Sequence, residues 1–265
     1  MRTALTIAGS DSGGGAGLQA DLKTFAAHGV FGLTAITAVT AQNTEGVAAV
    51  LPMPPDLVAA QIDAVVSDFG AGATKIGMLA TAAIVDVVAR AIERHRLTNV
   101  VLDTVMIAKG GAPLLDDDAI AVMRARLLPL AAVITPNIPE AERLTGRKIS
   151  SVAAMRDAAR ALIAAGAHAA VVKGGHLDGP AVDVFCDGTI VVELSAERVS
   201  TRHTHGTGCT FSSAIAARLA LGENLRAAVE GAKAYVTRAI TQAPGLGHGH
   251  GPVQHFPITH RAIAQ

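Results

Sequence analysis

The chain has 265 residues, half of them hydrophobic, and 22 Lys plus Arg balance 22 Asp plus Glu. That length buries a large core, and α/β folds hold roughly 250 residues as one domain. The balanced charge excludes the broad positive field by which nucleic-acid and anionic-membrane binders gather their partners.

Six Phe, one Tyr and no Trp leave little for a base-stacking platform. Two cysteines, Cys186 and Cys209, are too sparse for a secreted disulfide scaffold. Residues 1–8 reach Gly9-Ser10-Asp11 before an export signal's apolar stretch forms, and no later segment is apolar enough to span a bilayer. The expectation is a cytoplasmic protein that acts on a small molecule, with neither nucleic acid nor membrane as partner.

In chain order, residues 4–8 read as a short buried strand, 9–17 as a glycine-rich loop, and 18–27 as a helix closed by His28-Gly29. Residues 31–41, rich in Thr, Val and Ile, suit a strand, and Pro54-Pro55 opens an amphipathic helix over 56–69. Strand and helix then alternate: 73–77, 81–95, 99–103, 116–127, and 133–135 ending at Pro136. A short helix at 140–145 precedes a longer one over 152–165, with Ser151 to cap it and Gly166 to end it, and 169–173 is again strand-like. Residues 182–186 and 190–194, joined through Asp187-Gly188-Thr189, predict a local hairpin. Two closing helices follow at 210–221 and 224–242.

Repeated βα units predict an α/β fold, a three-layer arrangement with a mostly parallel sheet and helices on both faces. Ligands then belong at the carboxyl ends of the strands. No linker, charge block or repeat supports a second domain, so 1–265 is expected to be one.

The densest chemical signal is His205-Gly206-Thr207-Gly208-Cys209-Thr210, where a polar loop enters a helical stretch. Its glycines allow close backbone approach to a ligand, and a helix start offers N–H groups and a positive dipole end to an anion. The same field is expected to lower the thiol of Cys209 from about 8.5 toward roughly 3.5–7.5. By itself this loop suits a cysteine hydrolase or a redox centre as well as a kinase.

In the loop over 9–17, Gly13-x-Gly15-x-x lands on Leu18, which breaks the dinucleotide fingerprint, and no Gly-Lys dipeptide supports a P-loop. Asp103 ends the strand Val100-Val101-Leu102, and Asn137-Ile138-Pro139-Glu140 follows another strand end. Such hard oxygen donors suit Mg²⁺ bound mainly through substrate phosphates and water, although a capped helix start would use the same residues. Lys173-Gly174-Gly175 could bring an ammonium to phosphate. His203-x-His205 and His248-Gly249-His250 have metal-like spacing, but nothing completes a zinc set, and they are read as loop hydrogen-bonders. An anion site flanked by a proton acceptor, with carboxylates at strand ends, is what phosphorylation of an alcohol by ATP requires.

A chain-wide series of motifs carries a resemblance. It comprises Ala8-Gly9-Ser10-Asp11-Ser12-Gly13-Gly14-Gly15-Ala16-Gly17-Leu18-Gln19-Ala20-Asp21, Thr40-Ala41-Gln42-Asn43-Thr44 and Thr135-Pro136-Asn137-Ile138-Pro139-Glu140. Val172-Lys173-Gly174-Gly175-His176 and the 205–210 segment complete it. Together they resemble the hydroxymethylpyrimidine/phosphomethylpyrimidine kinases, thiamine-pathway members of the ribokinase-like superfamily. The resemblance implies ATP and Mg²⁺ as cofactors, two successive phosphorylations of 4-amino-5-hydroxymethyl-2-methylpyrimidine, and a homodimer.

It further implies an anion hole at Gly206, Thr207 and Gly208, with Cys209 as the base. The implied pyrimidine pocket is Gly9, Asp21, Gln42, Met78 and Val105; an amide at 42 could pair with a ring nitrogen and an exocyclic amine together. Lys173, Asn137 and Asp103 would meet nucleotide, with Asp103 and Glu140 near the magnesium–phosphate cluster. Lys109-Gly110-Gly111 would form a mobile loop beside the site. Pyridoxal kinases of similar sequence are the second enzyme reading. A non-catalytic sensor of a vitamin precursor is the third.

Overall fold

Short apolar runs broken by glycine, proline and Asx residues assemble one sheet in the computed structural model, which describes residues 1–106, 115 and 117–257. The N-terminal half contains β1 Thr3–Asp11, α1 Gly17–Ala27, β2 Phe31–Gln42, β3 Val47–Pro52, α2 Pro55–Phe69, β4 Ala73–Ile76, α3 Ala82–His95 and β5 Val100–Leu102. It continues with α4 Asp117–Arg126, β6 Val133–Ile134, α5 Ile138–Thr145, α6 Val152–Ala164 and β7 Ala170–Val172. The chain then forms the hairpin β8 Ala181–Cys186 and β9 Val191–Ala196, and the closing helices α7 Thr207–Ala220 and α8 Leu225–Thr241.

The strand order is β3-β2-β1-β4-β5-β6-β7-β8-β9. The pairings from β2 through β1, β4, β5 and β6 to β7 are all parallel, and among the described residues antiparallel strand pairs occur only at the two margins. The expected mostly parallel sheet and the 182–194 hairpin are therefore both present.

Alternation along each strand separates two cores. Leu5, Ile7, Val100, Leu102 and Ile134 join one, toward α2, α3, α4, α5 and α6, while Ala4, Val101, Val133 and Val171 join the other, toward α1, α7 and α8. A sheet with both faces covered in this way keeps its polar backbone ends for ligands.

Local chemistry sets the helix boundaries. Thr81, Ser151 and Asn224 each accept a hydrogen bond from the backbone N–H three residues on and so cap α3, α6 and α8. Three of the differences from expectation bear on the site. β1 runs on to Asp11 through a register shift between Ala8 and Ser10, so Gly9 bends the strand rather than ending it. The edge strand β3 was not anticipated, and α7 starts at Thr207 rather than 210, which puts the cradle inside its first turn. The Lys109-Gly110-Gly111 loop lies outside the described residues.

Order in the sheet creates the site. From β1 the chain moves outward to β2 and β3, then returns to place β4 on the other side of β1. Neighbouring strands whose connections leave in opposite directions open a crevice at their carboxyl ends.

Candidate active site

A cleft of about 680 Å³ runs along that edge. Of the residues singled out from sequence, Gly9, Gln42, Met78, Val105, Asp103, Asn137, Glu140, Lys173, Gly206, Thr207, Gly208 and Cys209 all line it. Asp21 does not: it is wholly buried behind the wall, where its carboxylate accepts from Thr6 Oγ1 (2.6 Å), Lys75 Nζ (2.9 Å) and Ser213 Oγ (2.6 Å). Any influence of Asp21 on a ligand is relayed through these neighbours.

The cradle is built by the entry to α7. Gly206 is the N-cap, at φ 77°, and no side chain caps the helix. A Cβ at 206 would collide with the carbonyl of Gly15, so a glycine is required here both for the left-handed backbone and for the close approach of two loops. First-turn N–H groups have no partner within a helix; that of Thr207 turns back to the Thr204 carbonyl (3.3 Å), and with no side-chain cap its neighbours at Gly206 and Gly208 can face an anion.

The opposite lip is held by Asp11, a residue whose role the sequence reading missed. Its carboxylate accepts from the backbone N–H groups of Gly13 (2.8 Å), Gly15 (3.1 Å) and Ala16 (2.8 Å), and from His205 Nε2 (2.8 Å). Burial works against this carboxylate, but the His205 bond and the backbone donors outweigh it and hold Asp11 below the usual carboxylate range. Since His205 Nε2 carries a proton toward Asp11, it cannot also accept from Gln42 Nε2, 3.5 Å away. Gln42 Oε1 lies 3.1 Å from Thr40 Oγ1, whose one proton also faces the Ser10 carbonyl at 2.9 Å, and the Gln42 amide lines the cleft, where it can pair with a ligand.

Across the cleft, Lys173 Nζ donates to Asp103 Oδ1 at 3.1 Å. Burial disfavours both charges, yet their pairing holds Asp103 below and Lys173 above their ordinary ranges. Asn137 and Glu140 form a reciprocal capping box at the start of α5: Glu140 N–H donates to Asn137 Oδ1 (2.9 Å) and Asn137 N–H to Glu140 Oε2 (2.8 Å). The capping and ligand-facing readings of this segment thus coexist. Burial pushes Glu140 up to about 7; Lys173 pulls it down and the Asp103 charge raises it further.

Among the described residues Asp103 Oδ2 is buried without a hydrogen-bond partner, so this oxygen could accept a cation that the Lys173 ammonium, on Oδ1, leaves room for.

One sequence expectation is overturned. The Cys209 thiol is not lowered by its position in the first turn of α7; burial pushes it up to about 12. Lys75 pulls in the other direction, while the carboxylates of Asp103 and Asp21 reinforce the rise. The side chain is half-exposed to the cleft on one side and enclosed by low-dielectric wall on the others, and the enclosure dominates. Lys75 itself gave no sequence signal beyond a charge within an apolar strand.

Comparison with known proteins agrees with this geometry. The phosphomethylpyrimidine kinase family profile matches residues 11–254. The hydroxymethylpyrimidine/phosphomethylpyrimidine kinase of Bacillus subtilis is 47% identical over 262 residues, covering 98% of this chain and 97% of that one. The thiamine biosynthesis bifunctional protein ThiED of Geobacter sulfurreducens is 52% identical over 253 residues; they cover 95% of this chain, which spans only 52% of that protein. The solved ADP complex of Bacillus subtilis pyridoxal kinase superposes with a TM-score of 0.91 at 41% identity, covering 97% of this chain and 98% of that one. With the profile spanning nearly the whole chain and the cradle, Lys173–Asp103 pair and Gln42 amide around one cleft, this protein belongs to the phosphomethylpyrimidine kinase family.

Proposed function

We propose that the chain works as a single ribokinase-like kinase domain that transfers the γ-phosphoryl group of ATP to the 5-hydroxymethyl oxygen of 4-amino-5-hydroxymethyl-2-methylpyrimidine. A second transfer to the monophosphate gives the diphosphate used in thiamine biosynthesis. The observation that carries this reading is the uncapped first turn of α7 opening on the same cleft as the Lys173–Asp103 pair. An anion cradle facing a fixed ammonium suits a group that is transferred as an anion.

In the proposed roles, Gly9, Gln42, Met78 and Val105 hold the pyrimidine, with Asp21 acting from behind the wall. Lys173, Asn137 and Asp103 receive the nucleotide. The amides of Gly206, Thr207 and Gly208 take up charge on the phosphoryl oxygens. The hydroxyl oxygen forms the new P–O bond as its proton passes to the thiolate form of Cys209, which becomes the thiol, and the bond to the departing ADP breaks. Mg²⁺, held near Asp103 and Glu140 chiefly through phosphate and water, would supply charge neutralisation. Among the described residues no helix is long and apolar enough to cross a membrane. The proposal includes a cytoplasmic homodimer with small-molecule partners alone; sedimentation velocity tests the dimer.

Mass spectrometry of a reaction with ATP, Mg²⁺ and the hydroxymethylpyrimidine is expected to show both the mono- and the diphosphate. Base catalysis is worth ~10²–10⁴-fold, so Cys209→Ala should lose at least ~10²-fold in kcat while its ATP affinity is retained. Near-normal turnover by that variant would sink the base assignment. The 41% identity to a pyridoxal kinase makes pyridoxal, which also bears a hydroxymethyl group on a ring, the competing acceptor. The ratio of kcat/KM for the two alcohols decides between them, and ligand-induced stabilisation without turnover of either would mark a sensor.

A further inference from the structure

Helix α7 presents two polar columns to the sheet, and each is served by its own lysine–aspartate pair. Residues four apart on a helix share a face, so Gly208 stands above Ser212 and Cys209 above Ser213. The first column meets Asp103 and Lys173: Ser212 Oγ donates to the Gly208 carbonyl (2.6 Å), and Thr135 Oγ1 lies within hydrogen-bond reach of both Ser212 Oγ (3.4 Å) and Asp103 Oδ1 (3.3 Å). The second meets Asp21 and Lys75, through Ser213 Oγ on Asp21 Oδ1 (2.6 Å) and Lys75 Nζ on Asp21 Oδ2 (2.9 Å). Beside each ammonium a bare glycine Cα makes room, Gly208 of α7 for Lys173 and Gly77, just after β4, for Lys75. A Cβ at Gly208 would come within 3.2 Å of Lys173 Nζ, and one at Gly77 within 2.7 Å of Lys75 Nζ.

The Lys75–Asp21 pair is fully buried, with both side chains at 0% exposure. Such an ion pair contributes little net stability, because desolvation offsets its attraction, so packing alone gives it no purpose. Lys75 nonetheless forms part of the cleft lining, against Gly77. Asp21 takes one of the three donors on its ammonium.

We propose that Lys75 is the positioning residue for Cys209: its ammonium, fixed by Asp21 one helical turn below the thiol, stabilises the thiolate that accepts the proton of the acceptor hydroxyl. The inference rests on the reading of Cys209 as base. Of the charged groups around that thiol, the ammonium groups of Lys75 and Lys173 favour the thiolate, Lys75 foremost, while the carboxylates of Asp103 and Asp21 oppose it. Asp21 thus fixes the cation's place while its own charge opposes ionisation.

The test is the rate at which iodoacetamide alkylates Cys209 at fixed pH in the protein without nucleotide or alcohol, read by peptide mass spectrometry with buried Cys186 as the internal reference. A one-unit rise in thiol pKa lowers the thiolate fraction tenfold and raises its intrinsic nucleophilicity about threefold, a net slowing of roughly threefold. Lys75→Met should therefore slow alkylation at least about threefold and lower kcat with little change in the KM for ATP. Lys75→Arg, which keeps the charge, should recover most of the rate. If Lys75→Met does not fold, Lys75→Met/Asp21→Asn leaves no buried charge unpaired and should show the same slowing. Alkylation at the wild-type rate in the Met variants, or equal slowing by Arg and Met, would overturn the proposal. Because this rate is read without turnover, it stands apart from any failure to phosphorylate the pyrimidine.

Discussion

Cys209 is caught between a helix start that favours its thiolate and a wall that does not. With the thiol pushed up to about 12, the thiolate is a minute fraction near neutrality. Its population grows as pH rises toward that value. The kcat/KM for the alcohol, which reports ionisations in the free enzyme, is accordingly expected to climb about tenfold per pH unit and to show no plateau below about pH 10. A plateau near pH 7 in a full pH–rate profile would show that the working thiol ionises there instead. At this scale the legible residues were those in contiguous motifs, such as Gly206 to Cys209, Asn137 to Glu140 and Lys173. Asp11 and Lys75 escaped because their partners lie far along the chain: His205 for the former and Asp21 for the latter. A charge inside a strand reads as an irregularity until its partner is found.

The first turn of α7 is the element on which the site depends, and it can be tested by separating backbone strain from collision. Gly222, at φ +94°, has open space within 4 Å of where a Cβ would stand, whereas at Gly206, φ +77°, the Gly15 carbonyl blocks that position. Gly222→Ala should cost about 1–2 kcal/mol in urea unfolding, the left-handed penalty, with kcat unchanged. Gly206→Ala should cost more than that and lower kcat at least ~10-fold, because the two loops that frame the cradle must separate. Equal effects of the two substitutions on stability and kcat would mean that the close approach at Gly206 is unimportant. Most elements were legible from period and punctuation, including the capped helices and the 182–194 hairpin. β3 was not, since its six residues are mostly exposed and lack a clear alternation. β1 was cut short by the rule that a glycine ends a strand, while in the folded chain pairing with β2 carries it past Gly9.

Over the whole molecule, the cleft lined by Gly9 and Gln42 also takes in Arg198, Val199 and Ile240. Arg198 organises the loop that follows Lys173, donating to the carbonyls of Gly179 (2.7 Å), Gly175 (3.0 Å) and Leu177. Each such bond is worth about 0.5–1.5 kcal/mol, so Arg198→Ala should loosen that loop and raise the KM for ATP several-fold while leaving the KM for the alcohol unchanged. Initial rates with each substrate varied in turn check this; a matching rise in both KM values would mean that Arg198 supports the whole cleft. By itself the sequence determined the βα alternation, the parallel sheet, the cradle and the carboxylates at strand ends, because hydrophobic period, turn residues and contiguous motifs are local properties. Only the tertiary structure decided which ionisable groups meet: the two lysine–aspartate pairs beneath α7, the Asp11–His205 clasp and the raised thiol of Cys209. Burial and long-range charge set a group's ionisation, and neither exists until strands distant in sequence lie side by side.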